Sequence, residues 1–342
     1  MTGIKGSFFQ LFSRSDDQHF TTFDALYTHC LNRQRNSEIH WRLPADVIPT
    51  DYHGKLHLKL SGSRAFSLTD WSFGQVCRFA GLKKDSLNRL KSSTAAQVLV
   101  ETMPHGSRPL QVFTEDETIR SIHPVGYTRI HDSTLLELVI DEAFDFDPPP
   151  VGDSEATGLY AGEQEMFAFM IDPKAWIEVG EEHFAPGFFI WNSEVGRRSM
   201  GVATFWYQRA CGNHIIWDAS ALVSYSRKHT AQVASALGDI RLLLSQLVEN
   251  SSARKDAFAK SLSRAQQTNL GTCPQEVTKV LSGCGIAISY VHQAVAAMAD
   301  KRDGFTVYNA VDSLTRLTGS LRNAGERVEQ DSKIGRLLAL AN

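Results

Sequence analysis

The chain has 342 residues, 42% hydrophobic and 21% charged, which is too apolar for a disordered protein and enough for one large domain or two ordinary ones. No run approaches the roughly 18 apolar residues of a membrane span, and residues 1–10 lack the basic-then-apolar pattern of a secretory signal, so a cytoplasmic protein with no membrane partner is expected. The net charge of −3 hides an asymmetry: residues 137–182 hold thirteen acids and one base, Lys174, whereas residues 226–342 hold fifteen bases and ten acids. The acidic stretch reads as a solvated face, and the basic flanks leave room for a nucleic-acid groove, because affinity follows local rather than net charge. Five cysteines (Cys30, Cys77, Cys211, Cys273, Cys284) with no C-x-x-C pair predict free thiols, neither a disulfide framework nor a zinc site.

In chain order, residues 1–20 read as an arm whose Phe8, Phe9, Leu11 and Phe12 dock on an apolar surface, a second subunit being one candidate. Leu56, Leu58 and Leu60 alternate with Lys55, His57 and Lys59, which predicts a strand with one wet face. Leu68-Thr69-Asp70 predicts a helix start, Phe73, Val76, Phe79 and Ala80 its apolar stripe, and Gly81 its end. A short helix is expected over 85–91, and a third over 94–103, capped by Ser93 or Thr94 and stopped by Pro104. Two β runs around Glu115-Asp116-Glu117 predict a hairpin, followed by a helix over 135–140. Three prolines among acids at 145–153 predict a stiff exposed connector. Met166–Ile171, apolar on both faces, predicts a central strand, with further strands at 187–191 and 202–207. From residue 226 long helical periodicities dominate: Val233, Leu237, Ile240, Leu244 and Leu247 form one stripe, followed by helical patterns over 277–298 and 307–321. The expected fold is therefore α+β: an arm (1–20), a mixed sheet-and-helix core (21–225) and a mostly helical C-terminal lobe (226–342).

Catalytic motifs are scarce. The sequence has no P-loop, G-x-S-x-G, H-E-x-x-H or G-x-G-x-x-G. Gly283-Cys284-Gly285 reads as a close packing point between helices. His53 and His57, four apart on a strand, are about 13 Å apart and too distant to share an ion. Glu181-Glu182-His183 is a weak metal candidate, and Cys211 with His214 lacks an orienting third group. Glu163, Glu165, Asp172 and Lys174 supply the residue types of a metal-dependent nuclease, but Asp172 falls on the opposite strand face from the two glutamates. No catalytic residue, metal site or cofactor is assigned.

The richest stretch is 184–217. Its eight aromatics (Phe184, Phe188, Phe189, Trp191, Phe205, Trp206, Tyr207, Trp217) are interleaved with Arg197, Arg198 and Arg209. They read either as core strands or as a stacking platform for a single strand, with arginines on the phosphates. Within it, Asn192-Ser193-Glu194-Val195-Gly196 and Arg209-Ala210-Cys211-Gly212-Asn213-His214 are similar to the N-S-x-x-G and R-x-C-x-N-G/H signature of the phage/plasmid-like proteins of unknown function, domain-of-unknown-function family 932. Residues 65–75 and 122–132 also resemble that family, although His123-Pro124 replaces its usual serine. The resemblance spans roughly residues 60–335. It implies a mobile-element protein found near replication and recombination functions, and it transfers no catalytic residue.

The leading expectation is a nucleic-acid-binding accessory factor of such an element. It would be an oligomeric single-strand-binding or annealing protein, with single-stranded DNA and further copies of itself as partners. Arg197, Arg198, Arg209, Arg227 and Lys228 are its candidate phosphate contacts, while Asn192, Ser193, Gly196, Cys211, Asn213 and His214 form the structural motif. The pI near 6.5 weighs against it, since dedicated binders show a stronger basic footprint. The alternatives are a non-enzymatic partner-binding module and, behind it, the metal-dependent nuclease.

Overall fold

The computed structural model describes residues 10–150, 158–209, 213–215, 224–230, 233–249, 255–301 and 304–341. The chain begins with β1 (Gln18–His19), α1 (Phe23–Arg35), β2 (Ser37–Arg42), β3 (Val47–Tyr52), β4 (Lys55–Leu60) and β5 (Ala65–Leu68). It continues through α2 (Asp70–Phe79), α3 (Lys84–Leu87), α4 (Ser92–Thr102), the hairpin β6 (Leu110–Glu115) and β7 (Thr118–Pro124), and α5 (Asp132–Glu142). Next come β8 (Leu159–Ala161), β9 (Met166–Ile171), β10 (Ile177–Val179), β11 (Glu182–Asn192), β12 (Met200–Gln208), β13 (Asn213–Ile215) and β14 (Ser224–Arg227). The rest is helical: α6 (Val233–Glu249), α7 (Lys255–Gln267), α8 (Pro274–Gly283), α9 (Ile288–Lys301), α10 (Val307–Thr318), α11 (Ala324–Gly335) and a closing 3-10 segment, Arg336–Ala341. The fold is α+β, a mixed lobe followed by a mostly helical one.

The first sheet has six strands in the order β2-β6-β7-β5-β4-β3, antiparallel except for β5 against β7. Its two edge strands, β2 and β3, are joined by residues 43–46 alone. Five Cα steps span at most about 18 Å, whereas six flat strands would place their edges about 24 Å apart. The sheet must therefore curl. Leu56, Leu58, Leu60, Phe66, Val112, Ile119 and Ile122 point into the curl and meet Phe73, Val76, Ala95 and Leu99 of α2 and α4.

The second sheet runs β1-β8-β9-β11-β12-β13, with β10 on β11 and β14 on the other end of β12 from β13. All six residues of β9 are buried, as its unbroken apolar run predicts for a strand covered on both faces. Phe188, Ile190, Met200 and Val202 face α1, α5 and α6. Phe167, Phe169, Phe189, Phe205 and Tyr207 pack on the opposite side, with Ala324 and Val328 of α11. Phe184 and Trp206 join the core of α7 to α10, where Trp206 stacks on Phe258 at 4.1 Å.

Several local expectations change in the structure. Leu11 and Phe12 dock on this chain's own core: Phe12 lies 4.6 Å from the Phe73 ring and exchanges two 2.8 Å bonds with the Asn88 amide. Phe8 and Phe9 lie outside the described residues. α4 starts at Ser92 without a side-chain cap, so neither Ser93 nor Thr94 caps it. In the acidic connector Asp145 and Asp147 are exposed, but Phe146 and Pro149 turn inward, and Asp147 exchanges backbone bonds with Ile171. Ser226 and Arg227, expected to open the helical lobe, are strand residues paired with Gly201 and Met200. The α6 stripe forms through Ala236, Ile240, Leu244 and Leu247, with Leu237 half-buried, and it packs on the second sheet. The side chain of Val233 lies outside the described residues. Gly283-Cys284-Gly285 is the turn between α8 and α9: a Cβ on either glycine would meet nothing within 4 Å, so no close packing occurs there.

Candidate nucleic-acid interface

The loop from β11 to β12, residues 193–199, lies against the outer face of the curled sheet, and the N-S-x-x-G residues tie the two together. Asn192 donates to the Ile130 carbonyl at 2.9 Å and to Asp132 Oδ1 at 2.8 Å. Ser193 Oγ donates to the Gln164 carbonyl at 2.6 Å and accepts from Arg197 N at 2.9 Å. The Val195 carbonyl meets Trp71 Nε1 at 2.8 Å and His123 Nε2 at 3.0 Å. Gly196 holds φ +74°, and a Cβ there would stand 2.7 Å from the His123 ring and 3.1 Å from Tyr127. A side chain at this position would therefore be strained and would clash.

Beneath the loop, Glu194 is buried and paired with Arg120. It also accepts from Asp132 N at 3.0 Å and lies 3.2 Å from His131 Nδ1, while Arg129 donates to its carbonyl. Burial pushes the Glu194 carboxyl up, but Arg120, His131 and Arg33 outweigh it and hold the group well below its ordinary range. Its neighbour Asp132 is driven the other way, up to about 7, by burial and then by the Glu194 charge. Cys30, buried beside them, has its thiol pushed far up by burial and then by Asp132, so it is no nucleophile. A cavity of about 710 Å³ opens next to this cluster. Several of its charged groups are already engaged: Glu115 pairs with Arg33 at 3.5 Å and Arg120 at 3.3 Å, and Glu163 accepts from Trp71 N at 2.6 Å.

Above the loop the surface is basic and aromatic. Trp71 at the start of α2 has the guanidinium of Arg78 at 5.7 Å and that of Arg197 at 6.0 Å from its ring. Tyr127 stacks on His123 at 3.7 Å and on His229 at 5.4 Å. The pairing of β14 with β12 brings Arg227 opposite Met200, and the Thr128–His229 backbone bond draws Lys228 beside this stack. Arg78, Arg197, Arg227 and Lys228 are exposed, and none forms an ion pair among the described residues. Beneath this surface His123 is pushed down to about 3, chiefly by burial and then by Arg129, with His229 and Arg78 adding to it.

The other candidates fall elsewhere. Arg198 turns away from solvent to Glu165 at 2.8 Å, Glu329 at 2.6 Å and the Gly325 carbonyl at 3.4 Å, pinning α11 to the loop. Arg209 follows the far end of β12, about 30 Å along the strand from Arg198, and lies over Trp176. Cys211 lies outside the described residues, as do the side chains of Asn213 and His214 in β13. Phe184, Phe188, Phe189, Phe205, Trp206 and Tyr207 are core residues at 0–2% exposure, which leaves none of them to stack a base. Trp217 lies outside the described residues.

The nuclease residues do not converge: Glu165 is held by Arg14 and Arg198, while Asp172 accepts from Lys174 N at 3.0 Å and Lys174 reaches Asp145 at 2.9 Å. His183 pairs with Glu178 at 3.6 Å. Among the described residues no three His, Cys, Asp or Glu side chains gather as a metal site, and no helix is long and apolar enough to cross a membrane.

The chain matches no protein-family model, no curated protein and no solved structure. The interface therefore rests on its geometry. Trp71, Arg78, Tyr127 and His229 carry no sequence signal that marks them as surface partners of Arg197; only the docking of the 193–199 loop unites them. Glu194 occupies a variable place in the N-S-x-x-G pattern, and nothing in its spacing announces that Arg120 and Arg33 converge on it.

Proposed function

We propose that the chain binds single-stranded nucleic acid, without sequence readout, on the surface formed by Trp71, Arg78, Tyr127, Arg197, Arg227 and Lys228. The observation that carries this reading is the pair of exposed, unpaired guanidiniums of Arg78 and Arg197 beside the partly exposed Trp71 ring, with Arg227 and Lys228 exposed at the end of the strand that pairs with the start of β12. Phosphates are held by charge and bases by stacking, and every base has a face to stack. Arg197 and Arg78 also offer bidentate donors to phosphate oxygens. On the motif resemblance of residues 192–214 alone, with no family model matching the chain, we further propose a place in the replication or recombination of a mobile element, in the cytoplasm, with further copies of the chain as partners on the strand.

The test is a salt titration of affinity for a labelled oligothymidylate. Arg197→Ala with Lys228→Ala flattens the slope of log affinity against log salt by about 1.4, since each phosphate contact on a single strand contributes about 0.7. Arg198→Ala leaves the slope unchanged. A wild-type protein with no affinity for the oligonucleotide at low salt overturns the proposal. The partner-binding alternative would then lead. On its side stands a cleft of about 520 Å³ between α1 and α5, lined by Phe23, Val139, Ile140 and Phe146, with Phe144 82% exposed at its rim.

A further inference from the structure

The β3–β4 hairpin carries a second surface of the same chemical kind, away from the 193–199 loop. Its register pairs Ile48 with Lys59, Thr50 with His57 and Tyr52 with Lys55. Directly opposed residues share a face, and faces alternate with period two. These six side chains therefore lie together on the outer face, while Val47, Pro49, Leu56, Leu58 and Leu60 fill the core. Tyr52 is 53% and Ile48 43% exposed, and Lys55 and Lys59 project into solvent. The face holds no carboxylate. Asp51 has the opposite parity and is engaged by Gly54 N and Ser92 Oγ, both at 2.9 Å.

The tip has a special backbone. His53 at φ 51° and Gly54 at φ 75° are successive left-handed residues, the pattern of a type I′ turn, where Asn or Gly would hold the first position at less cost. The histidine present there sets its ring 4.3 Å from Tyr52, and His57 lies 5.4 Å away on the other strand. Both imidazoles are steeply inclined to the tyrosine, at 68° and 72°, so neither is stacked flat on it.

We infer that this hairpin face is a second contact surface for a nucleic-acid single strand: Tyr52 stacks a base, Lys55 beside it holds a phosphate, and Lys59 holds a second phosphate further along the strand. The inference rests on the single-strand reading proposed above and extends it to a separate patch. Lys55 lies directly opposite Tyr52, and Lys59, four residues on along the strand and opposite Ile48, stands about 13 Å further, so the two cations follow one another along a line that starts at the ring. Protein interfaces are depleted in lysine at their centres, whereas single-strand sites pair exposed aromatics with cations. β3 is an edge strand, but Pro49 removes one of its backbone donors, which disfavours addition of a partner's strand there.

The experiment uses the full chain and a labelled oligothymidylate over a salt series. The Lys55→Ala and Lys59→Ala double variant should flatten the salt slope by about 1.4. Tyr52→Ala should weaken binding about tenfold at every salt concentration with the slope retained, and Tyr52→Phe should restore it. Tyr52→Leu, which keeps an apolar side chain without a ring, should bind as weakly as Tyr52→Ala, separating stacking from a packing defect. Lysine variants that bind like wild type while Arg197→Ala with Lys228→Ala loses slope would overturn the hairpin inference and leave the loop site standing. The reverse pattern would keep the hairpin and remove the loop site. Binding that depends on the lysines but is indifferent to Tyr52→Ala would be polyanion attraction alone and would also overturn the inference.

Discussion

Glu194 and Asp132 are adjacent in space, both fully buried, and pushed in opposite directions. Glu194 keeps its charge because Arg120 and Arg33 converge on it; Asp132 loses much of its charge because burial and Glu194 both oppose it. Removing one partner of a buried ion pair strands the other, at a cost of about 3–5 kcal/mol. Glu194→Gln should therefore lower stability by about that amount, read from chemical denaturation at pH 7. The acid side of the stability profile belongs to Glu194, whose contribution falls away as the carboxylate is protonated, and to three histidines. His29 is held down to about 4 by burial and then by Arg33 and Arg120, His123 to about 3, and His229 to about 4 by burial and then by Arg129. Each binds its proton less readily in the folded than in the unfolded chain, where histidine titrates near 6.5. Their stabilising effect is thus present above about pH 6.5 and is lost as pH falls toward 3–4. Asp132 acts with the opposite sign: its folded form keeps a proton that the unfolded chain releases near pH 4, so its contribution is lost as pH rises toward 7. Thermal melts should show the wild type losing stability below pH 6.5, and Asp132→Asn gaining on the wild type at pH 8 but not at pH 4.

Many single elements were legible in the sequence, because their signals are local. The Leu56-Leu58-Leu60 alternation, the Thr69 cap and the unbroken apolar run of β9 each reflect a few adjacent residues, and each element formed where expected. Thr69 indeed closes a capping box with Ser72. The local pattern offered no element for α1, β2, β3, β8, β10 or β13, and it missed β14 as well. Ser224–Arg227 has no apolar alternation and exists as a strand because the first half of β12 has a free edge to pair with. Gly201 is what lets it approach: a Cβ there would stand 2.3 Å from the Tyr225 carbonyl oxygen and 2.4 Å from the Trp191 ring. Gly201→Ala should therefore destabilise the protein by about 1–3 kcal/mol through overpacking. On the proposed single-strand reading it should also weaken oligonucleotide binding, because Arg227 ends β14 and Lys228 follows it. Equal affinity for wild type and variant would separate β14 from the binding surface.

For the whole molecule, the N-terminal arm and the last helices meet at one ionic cluster. Arg14 reaches Asp17 at 3.6 Å, Glu165 at 3.5 Å and Glu326 at 3.7 Å, and Arg198 joins Glu165 to Glu329. Glu165 is nearly inaccessible, so Arg198→Ala should cost on the order of 2 kcal/mol, less than a fully buried pair because Arg198 is partly exposed. A fall in melting temperature with an unchanged oligonucleotide salt slope is the expected result. The sequence by itself determined the α+β class, the periodicity of most strands and helices, and which segments carry charge, since those properties are set by neighbours three or four positions away. It also marked Arg197, Arg227 and Lys228, but it ranked Arg198 and Arg209 beside them. The tertiary structure alone distinguished the surroundings of these residues. Whether an arginine faces solvent or a buried glutamate depends on where Glu165 and Glu329 arrive from 33 and 131 residues away. Whether an aromatic stacks a base or fills a core depends on which helices cover its strand. Both are questions of long-range packing, and no local spacing encodes them.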